Sequence, residues 1–411
     1  MKEQDNGRTE ELSSATWQFI VSHREDDVRT LALQARKYPQ VDMAEAVTQI
    51  AGWQIAVRKI PSWAATEGIL YSRHLSMEQC SSEITALYKA SLVGGESFTD
   101  LTAGLGVDCS FLARRFRRAD YVERQETLCR LAAHNFPLLG LDHIRVHHAD
   151  ALEYLREMEP VDCLFLDPAR RDSHGGKTVA ITECEPDVCA LESLLVEKGR
   201  KVMVKLSPML DMASALRDLK YIRELHVIAV NNECKELTAV LYRMNSVNES
   251  SEKEVVISCE QAVHNSLSEP FTYTLSEEKN AVCQLADRVE TYLYEPGAAL
   301  LKAGPYRLLS QRYGVKKLHP NSHLYTSSVQ VDFPGRCFQV TGISGFGKKE
   351  VKELLSGLEK ANLTVRNFPA SVADLRKKLK LKEGGDVYLF ATTLQNGEKV
   401  LIKCLKPALL S

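Results

Sequence analysis

The sequence predicts an α/β protein with an open, dominantly parallel sheet in the middle of the chain, helices before it and smaller α+β units after it. Three observations carry this prediction. Strand-like and helix-like segments alternate over residues 97–245. The first of these strands runs directly into a glycine turn, Asp100-Leu101-Thr102-Ala103-Gly104-Leu105-Gly106. The segment VDCLFLD (161–167) is almost wholly apolar, as a parallel strand covered on both faces must be.

Each element follows in order. Residues 15–93 read as helical, with apolar residues at three and four spacing in TWQFIVSHREDDVRTLALQARKYPQ and in VDMAEAVTQIAGWQIAVRKI, which stops at Pro61. In LSMEQCSSEITALYKASLV, Leu75, Ile84, Leu87, Ala90 and Leu92 suggest one buried stripe, closed by Gly94-Gly95. Ser81 or Ser82 is placed to cap that helix, with Glu83 in its first turn. SFTDLT, DYVER, IRVHHAD, VDCLFLD and RKVMVKLS are then five strands, separated by helices such as TLCRLAAHNFPLLG and ALEYLREM. ELHVIAVNN and ELTAVLYRM read as an antiparallel pair. NSVNESSEKE (245–254) reads as a linker. Beyond it VVISC and FTYTL are strands, while VCQLADRVETYLY and ALLKAG are mixed or helical. The last unit reads strand (RCFQVTGISG), helix (KKEVKELLSGLEKAN), strand (LTVRNF), helix (SVADLRKKLK), strand, strand, with Asn396-Gly397 turning the final pair. The expected boundaries are 1–95, 96–250, 251–333 and 334–411.

Composition sets the broad class. The 411 residues are 44% hydrophobic and 26% charged, a globular profile. No apolar run reaches the roughly 18 residues of a membrane span, and MKEQDNGRTEELSS has no apolar signal core, so a cytoplasmic location is expected. Eleven cysteines without a C-x-x-C argue for thiols in a reducing compartment, and no metal site is expected. The net charge of −2 is neutral on the question of nucleic acid. Its distribution is not: Gly335–Ser411 holds fourteen Lys/Arg against seven Asp/Glu. A local surplus of that kind suits a polyanion, although a single charge run is most often a solvated helix face.

The candidate chemistry collects at the carboxyl ends of the strands, where open α/β sheets bind ligands. Gly104 and Gly106 let a ligand approach the backbone beside Asp100, Thr102 and Ala103. Glu123, followed by Arg124, ends the second strand, where a carboxylate can take both hydroxyls of a ribose. Asp150, followed by Ala151, ends the third and can accept from an adenine amino group; it can equally cap the next helix. Asp167-Pro168-Ala169-Arg170 follows the fourth strand. A dinucleotide fingerprint would want a third small residue where Cys109 stands, which disfavours a dehydrogenase. An acid on the first strand, Asp100, instead fits an S-adenosylmethionine site, with Thr102 in place of that pattern's first glycine.

On these residues 97–245 resembles a class I S-adenosylmethionine-dependent methyltransferase. Asp-Pro-Ala-Arg resembles the (Asn/Asp/Ser)-Pro-Pro-(Tyr/Phe/Arg) motif of enzymes that methylate nucleic-acid bases. The whole chain is similar to bacterial class I methyltransferases with a C-terminal THUMP-like domain, on LSMEQCSSEITALYKA, DLTAGLGVD, FLDPARRD, LYEPGAAL and NFPASVADLRKKLKLKEGGDVYLFATT. The resemblance implies a Rossmann-like sheet, an N-terminal helical domain and C-terminal ferredoxin-like and THUMP-like units. It implies S-adenosyl-L-methionine as cofactor and RNA, tRNA or rRNA, as partner, with no membrane partner. Asp167 and the Pro168 carbonyl would accept the hydrogens of an exocyclic amine, and Arg170 stands where the family's stacking aromatic belongs.

Other groups follow from the residues themselves. Lys205 ends the fifth strand and faces either substrate or water. The loop from Arg171 to Glu185, containing SHGGKT, is placed to close over substrate. Cys163, Cys184 and Cys189 lack the context of a covalent nucleophile. Lys348, Lys349, Arg376, Lys377, Lys378 and Lys380 are candidate RNA contacts, joined by Lys352, Arg366 and Lys382; Tyr306, Tyr313 and Tyr325 are either stacking groups or packing residues. The function expected is methylation of a base nitrogen in RNA. A non-catalytic RNA-binding protein on the same scaffold, and a protein or small-molecule methyltransferase, are the alternatives.

Overall fold

The computed structural model describes residues 12–170, 181–243, 254–263 and 266–407, without the side chains of Leu75 and Arg170. The predicted linker, apart from Glu254, and most of the loop after Arg170 lie outside the described residues. The chain forms two compact units, 1–224 with 236–253, and 225–235 with 254–411.

The first unit begins with six helices: α1 Ser14–His23, α2 Val28–Leu33, α3 Met43–Lys59, α4 Pro61–Ala65, α5 His74–Gln79 and α6 Glu83–Ser91. Ser13, Asp27 and Asp42 cap the first three by accepting from backbone N–H groups, which satisfies donors that a helix start leaves free. Phe19, Ile20, Leu31, Met43, Ala46 and Ile50 close a small core between them. Further along, Ile55, Ile60 and Trp63 join the main core with Phe98, Cys109 and Phe165. The irregular segment between α4 and α5 is held by two buried amides. Gln49 bonds both backbone groups of Tyr71, at 2.8 and 2.9 Å, and Asn135 those of Leu70, at 2.9 and 2.8 Å.

The main sheet places β1 Ser97–Asp100 between β4 Val161–Leu166 and β2 Arg118–Glu123. β3 Ile144–His148 pairs with β2, and β5 Gly199–Leu206 pairs with β4, all in parallel. Each step is a right-sized strand–helix–strand crossover, using α7 Val107–Leu112, α8 Glu126–Leu138, α9 Ala151–Glu157 and α10 Val188–Lys198. The chain therefore winds outward from β1 to β3 and returns to β4 on the other side of β1. That reversal opens a crevice at the carboxyl ends of β1 and β4. After α11 Met212–Asp218, strands β6 Ile222–Val230 and β7 Glu233–Tyr242 flank a turn at Asn231-Asn232, both with positive φ, and β7 runs antiparallel to β5.

In the second unit β8 Val256–Val263 pairs with β9 Ser266–Leu267 and β10 Phe271–Thr274. After α12 Leu275–Asn280, a seven-stranded sheet is built from β11 Tyr292–Pro296, β12 Lys316–Lys317, β13 Tyr325–Ser327, β14 Gly335–Ser344, β15 Asn362–Val365, β16 Val387–Thr393 and β17 Lys399–Leu405. Its order is β12-β13-β11-β14-β17-β16-β15. Helices α13 Ala298–Ala303, α14 Tyr306–Tyr313, α15 Lys348–Leu354 and α16 Val372–Leu379 connect these strands. No helix among the described residues is long and apolar enough to cross a membrane.

Four local expectations need correction. Residues 282–290 are not helical; Leu285 bridges to Lys317, and Ala286 and Val289 fill the core beside Leu293, so tertiary packing produces the helix-like spacing. The helix predicted over KKEVKELLSGLEKAN ends at Leu354, before a turn with Gly357 at φ 73°. In α6 Leu87 is exposed, and the inward face carries Thr85, Ala86, Tyr88 and Lys89 instead. The helix predicted over SVADLRKKLK ends at Leu379, and Lys380 sits at φ 57° as its left-handed cap.

Candidate active site

The site is built from loops at the carboxyl ends of β1, β2, β3 and β4. Asp100 is fully buried. Its Oδ1 accepts from the Thr102 N–H at 3.2 Å, and its Oδ2 is buried without a partner. Burial, reinforced by the charge of Asp108, raises its pKa well above the ordinary carboxylate value. Gly104 and Gly106 both have positive φ, 54° and 82°. A Cβ on Gly106 would lie 3.0 Å from Phe136, so the turn has neither the conformational freedom nor the room for a side chain there.

Neighbouring loops are tied to this turn. The Asp167 N–H donates to Thr102 Oγ1 at 2.7 Å, joining the β1 and β4 ends. Buried Glu123 reaches back from β2, accepting from the N–H groups of Gly104 at 3.0 Å and Gln125 at 2.8 Å. Ala103 is held by its N–H on the Val122 carbonyl. Arg124 is exposed and pairs with Glu185 at 3.3 Å. Asp150 caps α9, accepting from Leu152 and Glu153, with Ala151 as the first helical residue; it is exposed, so capping leaves it accessible. Pro168 is buried, and the backbone of Ala169–Arg170 pairs with that of Cys184–Glu185.

Sequence reasoning named Lys205 but left it facing substrate or water, and it missed the charged groups Lys89, Asp108 and Glu236 beneath this crevice. Lys205 donates to Asp167 Oδ2 at 2.6 Å and stands 3.6 Å from Asp108 Oδ2. Asp108 in turn meets Lys89 at 3.1 Å and accepts from Ser81 Oγ at 2.7 Å. Lys89, fully buried, also pairs with buried Glu236. The result is an alternating chain of charge, Glu236–Lys89–Asp108–Lys205–Asp167, that surfaces only at Asp167, whose side chain is 41% exposed. Burial works against the charge of Lys205, but Asp167, Asp108 and Glu236 outweigh it and raise its pKa far above the usual ammonium value. Burial likewise pushes Asp108 up, and Lys89, Lys205 and the Ser81 bond overcome it, leaving the carboxyl below its ordinary value.

This network also settles the α6 start. Ser81 is spent on Asp108, Ser82 bonds Thr85 rather than a backbone N–H, and Glu83 accepts from Ser62 at the start of α4. The apolar spacing pointed to the Leu87 face of the helix instead of the Lys89 face, and Glu236 lies 147 positions away.

The second unit carries the candidate RNA contacts. Lys348, Lys349, Lys377 and Lys378 are exposed, and Lys378 lies over the Phe346 ring, next to the start of α15. Arg376 is instead tied down: its Nη1 donates to the Ala361 carbonyl at 3.1 Å. Tyr325 is fully buried and Tyr313 packs on Phe271 and Phe333, so these tyrosines are packing residues. Tyr306 is stacked between His323 and the Lys317 ammonium.

A separate open cavity of about 870 Å³ lies at the amino ends of the strands, lined by Gly94, Asp162, Arg200 and Tyr242 among others. Within the first unit it lies at the opposite end of the strands from Asp100, Glu123, Asp150 and Asp167.

Comparison with solved structures decides the family. A candidate methyltransferase from Porphyromonas gingivalis W83 is 34% identical over 96% of this chain and 98% of its own, with a TM-score of 0.84. The chain belongs to that family of class I methyltransferase-fold proteins. Its C-terminal third matches a ferredoxin-like domain at 292–334 and a THUMP-like domain at 335–406. More distant matches include a candidate rRNA methylase from Clostridium thermocellum, 14% identical, and a candidate methyltransferase from Streptococcus mutans in complex with SAH, 13% identical. Each covers 39% of this chain and 96% of its own, with a TM-score of 0.30, and no argument rests on them. A search of curated proteins gave no match. As a THUMP-like methyltransferase-fold protein, the chain has the Rossmann-like sheet and the C-terminal α+β units expected from its sequence.

Proposed function

We propose that this protein transfers the methyl group of S-adenosyl-L-methionine to a nitrogen of an RNA base. The observation that carries the proposal is the conjunction of an orphaned buried acid, Asp100 Oδ2, at a glycine turn with Asp167-Pro168 held beside it through Thr102. The unpartnered carboxylate oxygen suits the ammonium of the cofactor's aminoacyl end. Thr102, Ala103, Gly104 and Gly106 would cradle that end. Glu123 would hold the ribose: each of its oxygens accepts one N–H here and keeps a second lone pair. Asp150 would read the adenine amino group, with Arg124 and Ala151 beside it. When bound, the sulfonium supplies an activated methyl group.

The chain's own residues then have little more to do than align the acceptor. Asp167 Oδ2 is fixed by Lys205, leaving Oδ1 and the Pro168 carbonyl to accept the two hydrogens of an exocyclic amine. Its lone pair is thereby turned towards the methyl group. Arg170 would stack on the base. The carboxyl groups at the turn and beside it, Asp100, Glu123 and Asp167, suit a cationic ligand. The THUMP-like match, the basic surplus of 335–411 and the exposed Lys348, Lys349, Lys377 and Lys378, with Arg376 and Lys380 at either end of the run, support RNA as the substrate.

The test is calorimetric titration with S-adenosylmethionine and, separately, NADH, followed by transfer of labelled methyl to tRNA and rRNA. Micromolar binding of the first alone, lost in Glu123→Ala, supports the cofactor assignment. Methyl transfer that survives Asp167→Ala at full rate removes the catalytic assignment.

A further inference from the structure

The second unit contains a pair of arginines organised around one buried acid. Glu295, on β11, is 1% exposed. Arg336, its cross-strand partner on β14, donates from Nε at 2.9 Å and from Nη2 to Oε2. Arg366, just after β15, donates from Nε at 3.1 Å and Nη2 at 2.9 Å to Oε1. One carboxylate thus orients two guanidinium forks, which remain 41% and 35% exposed.

Neutralising Glu295 requires only one arginine, so the second leaves an uncompensated positive charge. Buried Lys317 stands nearby: its Nζ donates to the Pro320 carbonyl at 2.7 Å, and its field and that of Arg366 both reach His323. Each guanidinium has five N–H donors and spends two on Glu295. The remaining edges are held in place before any ligand arrives, which removes the ordering cost that free arginines would meet. Planar forks of this kind match the oxygens of a phosphate. The surrounding 335–411 segment, with its basic surplus, favours a phosphate that belongs to a longer polyanion over an isolated carboxylate.

We propose that Arg336 and Arg366, set by Glu295, form a phosphate clamp for the RNA backbone in the second unit. The proposal rests on the RNA reading of the preceding subsection. The clamp contacts no base, so it contributes affinity and register, not sequence choice.

The experiment is filter binding of an end-labelled, unmodified tRNA transcript to the full chain over a salt series. The Arg336→Gln/Arg366→Gln double variant is predicted to bind at least tenfold more weakly, with a salt slope reduced by about one to two. Arg336→Lys/Arg366→Lys keeps the charge but not the fork and is predicted to recover only part of the loss. A second measurement needs no variant: dicarbonyl labelling of the wild-type protein, read by peptide mass, should show RNA protecting Arg336 and Arg366 while 82% exposed Arg117 stays reactive. Wild-type binding with an unchanged double variant, or with no protection, overturns the clamp and leaves the RNA reading standing. No RNA binding by the wild type overturns that reading and the clamp with it.

Discussion

The Lys205 ammonium lies 2.6 Å from Asp167 Oδ2, and this contact connects the exposed end of the site to the buried charges beneath it. Asp167 consequently has one oxygen committed to Lys205 and one available as an acceptor. Lys205→Met should leave cofactor affinity within about twofold and lower kcat on the order of 100-fold, because the acceptor loses its fixed direction. Single-turnover methylation beside calorimetric cofactor binding separates the two effects; an unchanged kcat would show the contact to be structural only.

Lys89 tests the deeper part of the chain of charge. Lys89→Met leaves buried Glu236 without its ion-pair partner and Asp108 with Lys205 alone, and should cost about 3–5 kcal/mol in denaturant unfolding. Replacing Lys89, Asp108 and Glu236 together by apolar residues of similar volume should recover much of that loss in stability but not the activity.

Two substitutions probe the glycine turn after β1. Gly106→Ala must accept both φ 82° and a Cβ against Phe136, so it should lower stability by about 1–3 kcal/mol and reduce S-adenosylmethionine binding together. Asp100→Asn keeps the shape and loses the charge: calorimetry should show weaker cofactor binding with a melting temperature equal to or above that of the wild type, since desolvation already disfavours the charged form of Asp100.

His323 predicts a pH dependence. Burial first, then Lys317 and Arg366, lower its pKa from 6.5 to about 4. Between those values the unfolded chain binds the proton and the folded one does not, so stability rises with pH through this window. The contribution is complete above about pH 6.5 and is lost as the pH falls towards 4. Solvent screening of the partly exposed ring limits it to about 1–2 kcal/mol. His323→Gln should flatten the difference between denaturant midpoints at pH 7 and pH 5.

The basic run should divide in two. Lys348→Gln/Lys378→Gln should weaken RNA binding and lower its salt slope by about two without altering the melting temperature. Arg376→Gln should mainly lower the melting temperature, because that guanidinium serves the Ala361 carbonyl.

The sheet was legible because each strand and helix announces itself locally, by apolar runs, glycine turns and acids at strand ends. Asp100, Glu123, Asp150 and Asp167 could be named for the same reason, and the structure brings the loops that bear Asp100, Glu123 and Asp167 into direct contact. Lys89, Asp108, Lys205 and Glu236 could not be connected in advance. Their pairing depends on which strands become neighbours, and one sequence does not record that. The Leu87 error has the same origin: α6 turns inward the face on which Lys89 finds its partners, against the apolar stripe its spacing suggested. In the second unit, Val289 and Leu293 imitate a helical repeat because both fill one core from irregular backbone and strand.

Strand β14 hydrogen-bonds to β11 on one side and to β17 on the other. A cut at Pro334 would therefore not separate two self-sufficient modules. It would leave Tyr292–Pro296 with an open ladder edge and invite association with other copies. A cut near residue 254 has the same defect, because β8 is hydrogen-bonded to β6 and residues 225–235 belong to the same compact unit, so a fragment for isolated expression must carry 225–235 along with 254–407.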